Sequence, residues 1–332
     1  MHIETFLPAE YDAALAADVS AVRHAAGAVD CPHEHQLDAR ATLLELRHGW
    51  DGYGPDVVFR LTEGLEVLGV ASVETSHWGD NADLAWIELV VVPDARGRGH
   101  GAALLQAAQE WAHAAHKPLL MGGTWVGSPG ENFPDRFGYR PGMVEEERRL
   151  DLDTLDHDRI VKLHDEAAER TADYELVRLA GPVPDHLLPD LVAVAAVIND
   201  APLDDLEFED EVFSEDRLRT FDQSRAARQQ RVYRILARRV SDGAWAGQTF
   251  VTVDANQDGV VEQGDTSVAR AHRGHRLGLL LKTEMLGWLR DVEPGLRTWD
   301  TWNAASNAHM IAVNDALGCR VVGRTVAWQR RM

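Results

Sequence analysis

Cysteine is scarce: the 332 residues hold two, Cys31 and Cys319, far apart in the chain. They need not pair, so no disulfide framework is expected and a reducing compartment is the default. No apolar run is long enough to cross a bilayer, which takes roughly 20 residues. The N-terminus shows no basic, apolar and small-residue regions in the order of a leader, so a cytoplasmic location is expected. Positive charge is short as well, with 33 Lys and Arg against 54 Asp and Glu and a net charge of −21. Both halves are acidic. Nucleic acid and anionic membranes are therefore repelled at long range, while cationic small molecules are attracted. Aromatics are not lacking (10 Trp), and the length suffices for two domains with packed cores.

One stretch dominates what is present. The apolar segment Val90-Val91-Val92 leads through Pro93 into Arg96-Gly97-Arg98-Gly99-His100-Gly101, and Ala102 opens a helix that runs to about Ala114. Alternate glycines leave backbone N–H groups uncovered, and the helix start adds unsatisfied N–H groups with partial positive charge. Arg96 and Arg98 add full charges. These features suit a phosphate-bearing ligand, a pyrophosphate above all. A weaker copy follows in the second half: Val268-Ala269-Arg270, then Arg273-Gly274-His275-Arg276-Leu277-Gly278 and an apolar helix. Neither copy ends in the Gly-Lys-Ser/Thr that would hold a γ-phosphate and Mg²⁺. Neither has the GxGxxG spacing of a dinucleotide fold.

The surroundings of the two loops repeat. Periodicity predicts strands near 1–7, 57–61, 66–74, 84–92, 119–124 and 145–150, with helices at 11–28, 37–48 and 102–114. Strands near 174–180, 231–238, 244–253, 259–268, 296–301 and 320–329 follow, with helices at 184–199, 214–229, 277–289 and 307–317. This order, given twice, predicts an α/β chain whose mixed, largely antiparallel sheets carry helices on both faces. The boundary falls near residue 152, giving domains 1–152 and 153–332. Asp254-x-Asn256-x-Asp258-Gly259 through Asp265 approaches a calcium loop, but strands flank it, so a hairpin turn is the simpler reading and no metal is expected.

The loop pattern, Arg/Gln-x-x-Gly-x-Gly/Ala after an apolar strand, resembles the coenzyme A loop of the GNAT superfamily of N-acetyltransferases. Arg96-x-x-Gly99-x-Gly101 fits it, whereas Arg273-x-x-Arg276-x-Gly278 has arginine in place of the first glycine. The two-domain plan is similar to that of actinobacterial mycothiol synthase-like proteins, in which the C-terminal domain carries catalysis. The resemblance implies acetyl-CoA as co-substrate. In the first copy Val90, Val91, Val92, Arg96, Gly97, Arg98, Gly99, His100, Gly101 and Ala102 would hold it. In the second, Val268, Ala269, Arg270, Arg273, Gly274, His275, Arg276, Leu277, Gly278 and the more distant Asn307 would do so. Asn314 stands where many relatives carry a tyrosine that protonates the leaving thiolate, a role asparagine cannot take.

Counting back from the loops sets Ala85 opposite Glu262 and Ile87 opposite Gly264, at the usual base positions of this fold. Glu88 is expected to face the other way. Glu262 is thus the first choice for the base that accepts a proton from an ammonium acceptor, and Asp265 the second, since a bulge would turn it inward. In this fold the segment between the first two helices usually serves the acceptor. Asp204, Asp205, Glu207 and Glu209 would attract a cation there, with Trp299 and Trp302 as a stacking wall. The expected function is acetylation of a primary amine of a cationic small molecule: an amino sugar, an aminoglycoside-like antibiotic or an amino-acid derivative. Acetylation of a cysteinyl amino sugar is one alternative, and a non-catalytic acyl-CoA sensor another. No nucleic acid or membrane partner is expected, and a homodimer is compatible with the sequence.

Overall fold

A computed structural model describes residues 1–332. The chain forms two compact units, each a mixed sheet with helices on both faces.

Unit 1 comprises Met1–Glu145 with Leu203–Asp210 and Gly323–Met332. Its elements begin with β1 (His2–Phe6), α1 (Ala13–Asp30), α2 (Ala39–His48), β2 (Val57–Glu63), β3 (Glu66–Glu74) and β4 (Leu84–Val91). There follow α3 (His100–Ala114), β5 (Leu119–Trp125) and the start of β6 (Arg140–Asp151). Strands β1 to β4 pair antiparallel in sequence order, and β4 pairs β5 in parallel. Strand alternation sorts the core. Val58 and Val70 meet Leu15, Val19 and Leu46 of α1 and α2. Ala85, Ile87 and Val91 meet Leu104, Leu105 and Ala108 of α3. Asp12 and Asp38 start α1 and α2 by accepting from the N–H groups of Leu15 (2.9 Å) and Ala41 (2.7 Å).

Unit 2 comprises Glu146–Pro202 and Glu211–Val322. It holds α4 (His157–Ala168), β7 (Tyr174–Ala180), α5 (Leu188–Ala195), α6 (Glu215–Ala227), β8 (Gln230–Arg239), β9 (Trp245–Asp254) and β10 (Val260–Val268). Then come α7 (Leu277–Val292), β11 (Thr298–Ala304), α8 (Ala308–Leu317) and the start of β12 (Arg320–Arg331). The pairing repeats that of unit 1: β7 to β10 antiparallel, β10 and β11 parallel. Helix α7 covers Ile235, Val251, Val261 and Trp299, while α5 and α6 cover Leu236, Val232 and Phe250.

The expected element order is present, but the compact units depart from the halves of the chain. The boundary lies inside β6, whose second half stands beside β11 in unit 2. Most of β12 belongs to unit 1, antiparallel to β5 from Thr325–Trp125 to Arg331–Leu119. Each sheet is therefore finished by a strand from the other half of the sequence. Asp254–Gly259 is a hairpin turn between β9 and β10, in which Asp254 accepts from the Asn256 N–H. No helix is long and apolar enough to cross a membrane.

Candidate active site

Most longer helices here start on a side-chain cap, but α3 and α7 do not. Their N-caps are Gly99 (φ 89°) and Arg276 (φ 63°), and neither side chain caps the helix, so the first-turn N–H groups stay available. At Gly97, Gly99 and Gly274 an added Cβ would meet nothing within 4 Å, so these glycines face open space, as a loop that receives a ligand must. Arg276 takes the left-handed conformation that Gly99 takes at the same rank, which costs a side-chain-bearing residue about 1 kcal/mol. Arg276→Gly is expected to relieve that strain and to tighten CoA binding in unit 2, as read by calorimetry.

The loop arginines are less available than the sequence implies. Arg96 donates to the Val91 carbonyl (3.0 Å) and, through both terminal nitrogens, to Asp30 at 2.7 and 2.6 Å. Arg273 donates to the Val268 carbonyl (2.9 Å) and shares Asp200 with Arg270. Both arginines thus clip the loop to the unit's first helical layer. Arg98 and His275 remain on the exposed rim. His100 turns inward, 4 % exposed, with neither ring nitrogen hydrogen-bonded; Leu277 fills the same rank in unit 2. Only the His100 backbone can serve a ligand. Since a buried unpaired polar group costs about 1–3 kcal/mol, His100→Leu is expected to raise unit 1 stability by that order in urea unfolding.

Beyond the loops the strands part. Strand β4 pairs β5 only from Leu84–Leu119 to Trp86–Met121, and β10 pairs β11 only from Val260–Thr298 to Glu262–Asp300. The last pairs show that Trp86, not Ala85, corresponds to Glu262. The shift of one arises because β10 has an extra residue between Gln263 and Thr266, whereas β4 pairs β3 without a break. Gly264 permits the bulge: a Cβ there would lie 2.1 Å from the Phe250 ring. Glu262 and Asp265, three apart, would face opposite sides of a regular strand. With the bulge both face α6: Arg225 and Arg228 lie near Glu262, Arg217 near Asp265.

Burial pushes Asp265 up to about 7, with Glu211 adding and Arg234 and Arg217 opposing. Burial also raises Glu262, whose side chain reaches solvent from a crevice. The same correspondence makes Glu88 the counterpart of Asp265; as expected, it points away from Ala85 and Ile87, which pack on α3. It faces α1, where Arg23 donates to it (2.8 Å) and to Glu45 (2.6 Å). Glu74 beside it, which the sequence reading passed over, is pushed up to about 7 by burial and by Glu88 and Glu45. Its place at the end of β3, opposite Trp86, was the only available sign.

The acceptor residues divide. Trp302 is partly exposed beyond the strand separation, but Trp299 is 3 % exposed in the unit 2 core and offers no open wall. Leu203–Asp210 belongs to unit 1. There Leu206 and Phe208 pack against Leu84, Leu119 and Met121. Glu207 accepts from Arg140 (2.7 Å) and Arg331 (3.0 Å), which hold its carboxyl below the usual range. Glu209 accepts from the Asn81 N–H (2.7 Å), and Gln329 donates to the Asp205 carbonyl. Asp204 begins this segment in a left-handed turn (φ 47°). These acids therefore serve unit 1, because the apolar residues between them pack there. Asn307 caps α8 by accepting from Met310 N–H (3.2 Å), which leaves its amide nitrogen for a ligand.

Residues 29–121, which contain the first loop, match the Acetyltransferase (GNAT) family. A solved tandem GNAT protein from the clavulanic acid biosynthesis pathway is 25 % identical over 99 % of this chain and 98 % of its own, with a TM-score of 0.76. Residues 29–121 thus carry a GNAT acetyltransferase domain, and the chain as a whole is similar to a tandem GNAT protein. A GCN5-related N-acetyltransferase from Sphaerobacter thermophilus has the same fold, at 19 % identity and a TM-score of 0.65, over 99 % of this chain and 95 % of its own. No curated protein matches the sequence. The GNAT family uses acetyl-CoA, and the uncapped helix starts with their open glycines fit its pyrophosphate.

Proposed function

We propose that this acetyltransferase acetylates the primary amine of a cationic small molecule, with the chemistry in unit 2 and Asp265 as base. The observation that carries the reading is the β10 bulge, which sets a carboxyl titrating near 7 on the same side as Glu262, at the point where β10 and β11 separate. Such a carboxyl is ionised at working pH and still basic enough to take a proton from an ammonium through water. Glu262 supplies negative charge on the acceptor's approach. Strand N–H groups where β10 leaves β11 polarise the acyl carbonyl. Acetyl-CoA, when bound at the α7 start, supplies the activated acyl group. The acceptor classes are amino sugars, aminoglycoside-like antibiotics and amino-acid derivatives.

The test is thiol release from acetyl-CoA across a panel of these amines, with a cysteinyl amino sugar included. Release with one class and not with anionic acceptors is expected. Tight CoA binding without release by any amine would overturn the enzymatic reading in favour of an acyl-CoA sensor.

A further inference from the structure

The chain has three lysines, Lys117, Lys162 and Lys282. Lys282 lies on the inward face of α7, 1 % exposed. It stands nine residues after Arg273, and nine residues after Arg96 the first unit has the buried Leu105. Leucine therefore suffices for packing at this rank. An ammonium here costs several kcal/mol of lost hydration, and no carboxylate pairs with it. Its hydrogen bond goes to Asn314 Oδ1 on α8, at 2.7 Å.

That bond fixes a direction. Lysine can only donate, so Asn314 must present its oxygen to Lys282 and its nitrogen onward. Asn314 Nδ2 donates to Asn303 Oδ1 at 2.7 Å, and Asn314 itself is fully buried. Asn303 is then left with its own Nδ2 and no protein acceptor for it. It stands on β11 three residues past Asp300, the last residue paired with β10. Its face is that of Trp299 and Thr301, towards α7 and α8. A buried positive charge is thus carried through two polarised amides to a donor beside the strand opening. In unit 1 the ranks of Lys282 and Asn303 hold Leu105 and Thr124, and Thr124 is bonded to the Glu131 carbonyl (3.1 Å) and to Trp328.

We propose that Lys282, acting through Asn314, aims the Asn303 amide N–H at the sulfur of the acyl thioester and stabilises the departing thiolate in unit 2. The inference rests on the acetyl-transfer reading above. In the step it assists, the amine nitrogen bonds to the acyl carbon, the carbon–sulfur bond breaks and the electron pair leaves on sulfur. The carboxylate base passes the ammonium's first proton to water before attack and then takes the nitrogen's surplus proton. The amides transfer no proton, so Lys282 is a positioning residue. Burial lowers Lys282 to about 8, which leaves it mostly charged at neutral pH.

The experiment compares binding of CoA and of desulfo-CoA, which lacks the sulfur, to the full-length protein by calorimetry. Wild type is expected to prefer CoA in one of its sites. Lys282→Met should lose that preference by about tenfold or more, keep its affinity for desulfo-CoA, and unfold at a higher temperature because a buried charge is gone. A merely structural lysine would lower the unfolding temperature instead. Asn303→Ala, at a half-buried position, should lose the same preference and serves if Lys282→Met does not fold. An unchanged preference in either folded variant overturns the relay. If no ligand binds unit 2 in wild type, the acetyl-transfer reading of unit 2 fails, and the relay with it.

Discussion

Asp265→Asn is expected to lower kcat/KM by about 10²- to 10⁴-fold with little change in CoA affinity. The asparagine keeps the shape of the bulged residue but cannot accept a proton. The wild-type rate should rise with pH through about 7, where the Asp265 carboxyl ionises, and fall about tenfold per unit below it. The variant should lose that dependence. Stability should move the opposite way. The folded-state pKa is raised above the ordinary 3.8, so the unfolded chain ionises first as pH rises. Stability is therefore lost between about pH 4 and 7 and stays lost above. Asp265→Asn abolishes that loss and is expected to gain a few kcal/mol at pH 8, each pKa unit being worth about 1.4 kcal/mol. At pH 4 the gain should vanish. Glu262→Gln should raise KM for the amine more than it lowers kcat. The reverse pattern, with Asp265→Asn near wild type and Glu262→Gln inactive, would return the base to Glu262.

That choice shows where sequence reading stops. The two loops were legible because their chemistry is local: glycines at positive φ, a helix start and apolar residues on both flanks. The element order was legible for the same reason, through strand and helix periods. The bulge was not, since one extra residue alters no period over so short a span. Only Gly264 hinted at it, and its reason lies in the Phe250 ring across the sheet. Taking Ala85 rather than Trp86 as the counterpart of Glu262 followed from that single residue. The pairing of Arg96 was not legible because its partner, Asp30, lies 66 positions away. Likewise, the acidic stretch around Glu207 and Glu209 looks like a solvent-facing or ligand-facing run. Leu206 and Phe208 decide its place, and nothing local tells which core they join.

Trp328→Ala tests the least legible feature, the strand that closes unit 1 from the far end of the chain. Trp328 is buried among Val57, Phe59, Leu120 and Tyr139, and its indole N–H donates to Thr124 Oγ1 at 2.8 Å. Truncating a buried tryptophan costs about 3–5 kcal/mol, partly from lost transfer and partly from the cavity left behind. By sequence the residue belongs to the second half, whose core would then be expected to suffer. By pairing it belongs to unit 1, so hydrogen exchange should show β2 to β5 losing protection while β8 to β10 keep theirs. CoA binding at Gly97–Gly101 should weaken together with that loss, because α3 packs on the same cluster. Trp328→Phe keeps most of the apolar volume and drops only the hydrogen bond, for about 1 kcal/mol. If β8 to β10 lost protection first, β12 would have to be assigned to unit 2. The finishing strand would then give no reason for the two halves to depend on one another for folding. With the expected result, neither half of the sequence can complete its own sheet.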